Sequence, residues 1–250
     1  MVSRTARPIA LAASVLLAAA SARAADVTKE TVTSRSRPRV YYLFIPSSAP
    51  ADRPAPLIVT IHGSTRNGKT LVDAWKDLAE KEGIVLAGPD STDAVHWASP
   101  QDGPLLLRDV VDAVAAKRAI DPRRVYLFGH SAGAVFALQM ACLESEYFAA
   151  AAVHAGAVDP QYFSIFDYAA RKIPIAIWIG TRDEFFPIDG VRATAKALET
   201  RGFPVTLTEI PNHNHNYSAV SKDLNVKIWE FLSAQKLPGD SKYRVYADPN

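Results

Sequence analysis

Short apolar runs alternate with longer amphipathic segments along most of this chain. Most of the apolar runs are β-branched or continuously apolar, which is typical of strands covered on both faces. Seven such runs predict strands at residues 40–45, 57–61, 84–87, 125–128, 149–154, 175–180 and 205–209. The amphipathic segments predict five helices at residues 71–81, 105–117, 132–143, 191–200 and 224–234.

The repeated order of strand and then helix predicts an α/β fold with a mainly parallel central sheet and helices on both faces. In such a sheet the carboxyl ends of the strands meet at one edge, and ligands bind at that edge. Polar side chains that directly follow an apolar run are therefore the candidates for chemistry.

The first residues have the pattern of an export signal. Arg4 and Arg7 precede an apolar run at residues 9–20, and Ala22-Arg23-Ala24 follows as a small-x-small cleavage pattern. The run is shorter than the roughly 20 residues that cross a bilayer. Residues 1–24 therefore predict a signal peptide and a secreted or periplasmic protein. Residues 25–250 predict a single domain, in which the polar stretch 235–250 is a loosely held tail.

Charge and cysteine content exclude several classes. The whole chain has 28 Lys and Arg against 26 Asp and Glu, but three of the arginines lie in residues 1–24, which contain no acid. The remainder has 25 basic and 26 acidic residues, a net charge of −1, and no basic block that would favour nucleic acid. No membrane association is expected after signal cleavage. Cys142 is the single cysteine, so no internal disulfide can form.

A candidate nucleophile follows the strand predicted at 125–128. Gly129-His130-Ser131-Ala132-Gly133 is a G-x-S-x-G motif that lies between this strand and a helix, which is the context the motif requires. The sharp turn leaves no room for side chains at its two glycines, and it exposes the hydroxyl of Ser131. The helix that follows presents its N-terminal amides and positive dipole end to a developing oxyanion.

A serine nucleophile needs a base, and the base needs an acid that orients it. In strand–turn–helix hydrolases of this kind the acid and then the histidine follow the serine. His154 comes too early for the base and is interpreted as a residue of the pocket or near-core. The candidates are His213 and His215, in the loop after the last predicted strand.

The candidate acid is Asp183, which follows the strand predicted at 175–180. Its carboxylate can bind an imidazole N–H and fix the tautomer of the base. Asp159 and Asp189 are the reserve candidates for this role.

Two backbone amides are expected to form an oxyanion hole. The first is the N–H of Ala132, directly after the nucleophile, and the second is the N–H of Ser64, which follows His62-Gly63 at the end of an early strand. Candidate residues of the substrate pocket lie at the same edge of the sheet, and these are His62, His130, Trp97 and His154.

Several of these motifs resemble one family. The stretch Ile120-Asp121-Pro122-Arg123-Arg124-Val125, continued to Gly133, is similar to secreted esterases of the polyhydroxybutyrate depolymerase and feruloyl esterase group within the α/β-hydrolase superfamily. Gly180-Thr181-Arg182-Asp183 and the loop of His213 and His215 match that group's other motif positions in order. Dienelactone hydrolases are also similar, but they have a cysteine in place of Ser131.

This resemblance implies ester hydrolysis through an acyl-enzyme, with Ser131 as nucleophile, Asp183 as acid and no metal or organic cofactor. It favours His215 as the base, because His-x-aromatic at this place resembles related hydrolases, and leaves His213 as the alternate. The chain departs from the group at Gly133-Ala134, where many members have two glycines, and in its lack of disulfides and of an obvious polymer-binding domain.

The sequence therefore predicts a serine hydrolase that cleaves carboxylic esters, either small or polymeric, with hydroxyalkanoate and feruloyl esters as candidate substrates. The alternative is a serine peptidase of the same fold, which would use the same three side chains. A third hypothesis is a binding protein without catalysis, and the presence of all three residue types argues against it.

Overall fold

The computed structural model describes residues 26–50 and 52–244. Its eight strands are β1 (Thr28–Ser34), β2 (Arg37–Phe44), β3 (Ala55–Ile61), β4 (Val85–Pro89), β5 (Ile120–His130), β6 (Ala150–His154), β7 (Ile175–Gly180) and β8 (Val205–Ile210). Its five α-helices are α1 (Gly68–Glu82), α2 (Pro104–Ala115), α3 (Ala132–Leu143), α4 (Ile188–Thr200) and α5 (Ser221–Ser233). Two 3-10 helices, Pro160–Tyr168 and Tyr217–Ala219, complete this part of the chain.

All eight strands belong to one sheet, in the order β1-β2-β4-β3-β5-β6-β7-β8. The pairs β1–β2 and β2–β4 are antiparallel, whereas every neighbouring pair from β4 to β8 is parallel. The predicted α/β class with a mainly parallel sheet is confirmed. The carboxyl ends of β3, β5, β6, β7 and β8 consequently meet at one edge.

Helices cover both faces of this sheet, as the sequence predicts. Successive side chains on a strand point to opposite faces. Ile58 of β3 therefore packs in the hydrophobic cluster of α1 and α5, with Trp75 and Ile228, whereas its neighbour Val59 packs in the cluster of α2, α3 and α4. Burial on both faces explains the continuously apolar strands in the centre of the sheet.

All seven predicted strands and all five predicted helices are present, with bounds that differ by a few residues. The additional strand is β1, which the apolar pattern did not indicate. Its sequence, TKETVTS, is polar because β1 is an edge strand whose residues are mostly exposed or half-buried. It pairs with β2 as a hairpin through Arg35 and Ser36, both at positive φ.

The structure describes part of the predicted C-terminal tail and none of the predicted signal peptide. The predicted signal peptide, residues 1–24, lies outside the described residues. Residues 235–244, part of the predicted loose tail, contact the domain. Leu237 is buried and its N–H donates to the carbonyl of Arg123 (3.0 Å), and the N–H of Lys242 donates to the carbonyl of Glu146 (3.0 Å). Across residues 26–50 and 52–244, none of the helices has the length and apolar character that a membrane span requires.

Candidate active site

Ser131 lies at a sharp turn between the end of β5 and the start of α3. Its backbone has φ 59° and ψ −125°, a region that residues other than glycine rarely occupy. A Cβ at Gly129 would overlap the backbone of Gly133, and a Cβ at Gly133 would overlap the carbonyl oxygen of Ile61. The two glycines of the motif thus allow strand, turn and helix to pack closely, and this packing holds Ser131 in its strained conformation.

Three of the predicted residues form one chain of hydrogen bonds. The Oγ of Ser131 lies 2.9 Å from Nε2 of His215, and Nδ1 of His215 lies 2.8 Å from Oδ2 of Asp183. The Asp183 side chain has no exposed surface, and the His215 side chain is 15% exposed. Because a carboxylate only accepts, the proton of His215 is on Nδ1. Nε2 is then free to accept the hydroxyl proton of Ser131.

Asp183 is fixed by its own loop. Its Oδ1 accepts the backbone N–H groups of Phe185 (3.0 Å) and Phe186 (2.8 Å), so that Oδ2 remains for His215. The two reserve acids lie elsewhere. Asp159 accepts the N–H of Gln161 at the start of a 3-10 helix, and Asp189 forms a surface ion pair on α4 with a side chain that is 88% exposed.

The other candidate base, His213, belongs to a second group of histidines. Its Nε2 lies 3.2 Å from Nε2 of His154, and Nδ1 of His154 lies 3.1 Å from Nδ1 of His130. Burial, reinforced by the neighbouring imidazoles, lowers the pKa of His154 to about 2 and that of His130 to about 4. Burial also lowers the pKa of His213. These rings are therefore neutral at physiological pH.

The predicted oxyanion-hole segment lies against Ser131. A Cβ built on Gly63 would be 3.0 Å from the Cβ of Ser131, so the backbone after β3 passes directly beside it. Within the described ranges, neither the N–H of Ser64 nor the N–H of Ala132 has a hydrogen-bond partner. Both amides are thus available to a ligand.

His62 and Trp97 hold this segment in place through hydrogen bonds. Nε2 of His62 accepts the N–H of Ser91 (3.2 Å), so Nδ1 carries the proton and donates to the carbonyl of Gly63 (2.8 Å). Burial lowers the pKa of His62, in agreement with a neutral ring. The indole N–H of Trp97 donates to the carbonyl of His62 (2.9 Å), and its ring stacks on Phe136.

A cavity of about 800 Å³ opens over Ser131. Of the predicted pocket residues, His62 and His130 line it, whereas Trp97 and His154 do not. Among the lining residues that sequence reasoning did not single out are Arg66, Leu71, Glu184 and Phe185. Their only signal in the sequence is that three of them lie within a few residues of a strand end. Among the described residues, no three His, Cys, Asp or Glu side chains are arranged to hold a metal ion.

The sheet order, the helices on both faces and the strand–turn–helix motif at Ser131 together define the α/β-hydrolase fold. Residues 88–236 match the dienelactone hydrolase family, and the chain belongs to that family.

Comparison with individual proteins agrees with this assignment. The chain is 33% identical to poly(3-hydroxyalkanoate) depolymerase C of Paucimonas lemoignei over 125 residues, which are 45% of this chain and 30% of that enzyme. The matches to curated relatives cover between 28% and 53% of those relatives' own lengths.

Two solved structures have the same fold at low identity. A ferulic acid esterase from Anaeromyces mucronatus superposes with a TM-score of 0.67 at 14% identity, over 86% of this chain and 92% of the esterase. An acylaminoacyl peptidase from Pyrococcus horikoshii superposes with a TM-score of 0.69 at 13% identity, over 89% of this chain and 43% of the peptidase.

Proposed function

We propose that this protein is a serine hydrolase of carboxylic esters, in which Ser131 is the nucleophile, His215 the general base and Asp183 the acid that orients it. The observation that carries this proposal is the continuous hydrogen-bond chain from the hydroxyl of Ser131 through His215 to the buried carboxylate of Asp183. The Ser131 end of this series of hydrogen bonds lies at a cavity large enough for an ester substrate.

In the first half of the reaction, Oγ of Ser131 attacks the ester carbonyl carbon while Nε2 of His215 takes its proton. The charge that develops on the carbonyl oxygen is held by the N–H groups of Ser64 and Ala132. One donor of this kind is worth on the order of 3 kcal/mol of barrier. As the ester C–O bond breaks, His215 returns the proton to the departing alcohol, and the acyl group remains on Ser131.

In the second half, His215 takes a proton from water, which attacks the acyl-enzyme carbonyl. The same two amides hold the second oxyanion, and His215 then protonates Ser131 as the acid leaves. The negative charge of Asp183 stabilises the imidazolium in both halves. Every step uses side chains and amides of this chain, so the reaction as proposed requires no cofactor.

The candidate substrates of this proposal are taken from the named relatives of the chain. The named relatives include a poly(3-hydroxyalkanoate) depolymerase and a ferulic acid esterase. Hydroxyalkanoate and feruloyl esters are therefore the first candidates, in small or polymeric form. If residues 1–24 are removed as a signal peptide, the enzyme meets these esters outside the cytoplasm.

The test is hydrolysis of p-nitrophenyl acetate, butyrate and octanoate and of methyl ferulate by the purified protein. Ser131→Ala and His215→Asn should each lower kcat/KM by at least about 10³-fold, because each removes a member of the triad. His213→Asn is the matched control for the base and should retain most of the activity. Turnover by Ser131→Ala close to that of the wild type would overturn the proposal.

Two additional reagents, used beside the ester assay, separate the two other hypotheses. Cleavage of aminoacyl p-nitroanilides in preference to all four esters would identify a peptidase that uses the same side chains. Failure of a fluorophosphonate to label Ser131, together with no hydrolysis of any substrate, would favour a binding protein without catalysis.

A further inference from the structure

We propose that Arg66 selects esters whose acyl group carries a negative charge, such as a carboxylate at the far end of the acyl chain. This inference rests on the proposed ester hydrolysis and deepens it, because it names the class of acyl group that the cavity takes.

Arg66 brings a positive charge to the cavity without an acidic partner. It follows Ser64 by two residues and lines the same cavity as Ser131 and His130. Among the residues that the structure describes, no carboxylate oxygen lies within 4.0 Å of its guanidinium, whereas Arg39 pairs with Asp102 at 2.6 Å. A guanidinium presents five N–H donors in a planar fork that matches a carboxylate.

The surroundings of Arg66 leave this charge available to a ligand. The charge reaches the catalytic edge, because it contributes, after burial and His215, to the lowered pKa of His130. Helix α1 starts two residues later, and its first turn contains no acidic side chain. Asp90 lies at this helix start, but its carboxylate accepts the N–H of Gly68 (2.7 Å) and forms no ion pair with Arg66.

The negatively charged lining residue, Glu184, is associated with the loop of the base, which is where the alcohol leaves. The leaving oxygen has to lie at Nε2 of His215 to receive its proton. Glu184 lines the cavity on the loop that follows Asp183, its Oε2 accepts the backbone N–H of His215 (3.3 Å), and the ring of Phe185 lies 4.7 Å from the imidazole. An anionic alcohol would therefore meet Glu184, which repels it.

With the alcohol at His215, the proposal directs the acyl group away from the base, towards the cavity lining formed by Arg66 and α1. Leu71 and Ala74 of α1 also line the cavity, and they contribute an apolar surface that suits methylene groups. An acyl chain of several methylenes with a terminal carboxylate, as in the half-ester of a dicarboxylic acid, fits both the apolar lining and the free guanidinium.

The experiment compares two esters that differ in one charge, mono-p-nitrophenyl adipate and p-nitrophenyl hexanoate. The wild-type kcat/KM should favour the adipate ester by roughly tenfold, the scale of one exposed charge-assisted hydrogen bond. Arg66→Gln should reduce this ratio to about one or below, and Arg66→Lys should keep part of it. Lys76→Gln removes a positive charge from the exposed surface of α1 outside the cavity lining, and it should keep the wild-type ratio.

Two results would overturn the inference while leaving ester hydrolysis in place. One is wild-type turnover of both esters with no preference for the adipate, and the other is an unchanged ratio in Arg66→Gln. A loss of preference between 4-acetoxybenzoate and phenyl acetate in Arg66→Gln, with the adipate ratio unchanged, would also overturn it, because the charge would then act on the alcohol side. If neither p-nitrophenyl ester shows hydrolysis that depends on Ser131, the proposed esterase function itself fails.

Discussion

Replacing the buried carboxylate of Asp183 by an amide, Asp183→Asn, should abolish most of the activity without disturbing the fold. The asparagine oxygen can still accept the N–H groups of Phe185 and Phe186, as Oδ1 of Asp183 does. The amide NH₂ then occupies the place of Oδ2, 2.8 Å from Nδ1 of His215. Since an NH₂ group donates, Nδ1 has to become the acceptor, and the imidazole proton moves to Nε2.

The expected loss in kcat/KM is about 10⁴-fold, the scale observed when the acid of a serine triad becomes an amide. It corresponds to about 5 kcal/mol of transition-state stabilisation. Two effects combine in it. With its proton on Nε2, His215 donates to Ser131 instead of accepting its proton, and the imidazolium that forms in the reaction loses the charge of a side chain that has no exposed surface.

The assay is the hydrolysis of p-nitrophenyl butyrate over pH 6 to 9, with circular dichroism and thermal unfolding to establish that the variant is folded. Asp189→Asn is the matched control, because it makes the same chemical change on an 88% exposed carboxylate in the next helix, and it should stay within about twofold of the wild type. A folded Asp183→Asn protein that loses less than tenfold would refute the assignment of Asp183 as the acid.

Three other perturbations test the architecture around the site. The pKa of His154 is about 2 in the fold and about 6.5 in an unfolded chain, so its contribution to stability is complete above pH 6.5 and declines as the pH falls. The free energy of unfolding measured by urea titration should therefore be about 2 kcal/mol lower at pH 5 than at pH 7.5 because of this residue. His154→Asn should reduce that difference. Gly133→Ala should yield little folded protein, because its methyl group overlaps the carbonyl of Ile61, and normal soluble expression and melting temperature would contradict this. Trp97→Phe removes the donor to the carbonyl of His62 and should lower kcat by about threefold to tenfold with little change in KM, and an unchanged kcat would contradict a supporting role.

Most of the fold could be predicted because the hydrophobic pattern of a parallel sheet is strong. A central strand such as β7 is buried on both faces and is apolar at nearly every position, so its bounds follow from the sequence alone. The edge strand β1 has no such pattern, because its residues are polar and mostly exposed or half-buried. A short turn joins it to β2, with which it forms a hairpin. Its pairing is decided by the neighbouring strand, and single-sequence periodicity does not contain that information.

The parts of the site that could be predicted are those determined by residues close together in the sequence. Ser131 follows from five consecutive residues whose glycines are required by the turn itself. The walls of the cavity were not predictable, because Arg66, Glu184 and Phe185 come from two loops that are far apart in the chain and meet only in the folded protein. Their side-chain types carry no local signal that distinguishes them from ordinary loop residues.

The choice between His213 and His215 shows what the fold adds to a motif. Both follow β8, and the residues alone left them as alternatives. A general base has to become an imidazolium during the reaction, so the competent histidine is the one whose protonated form is stabilised. His215 hydrogen-bonds a buried carboxylate, whereas His213 faces the neutral ring of His154, and its burial lowers its pKa. The same sheet edge thus places two imidazoles in different electrostatic environments, and the environment of His215 is the one that suits the proposed proton transfer to and from Ser131.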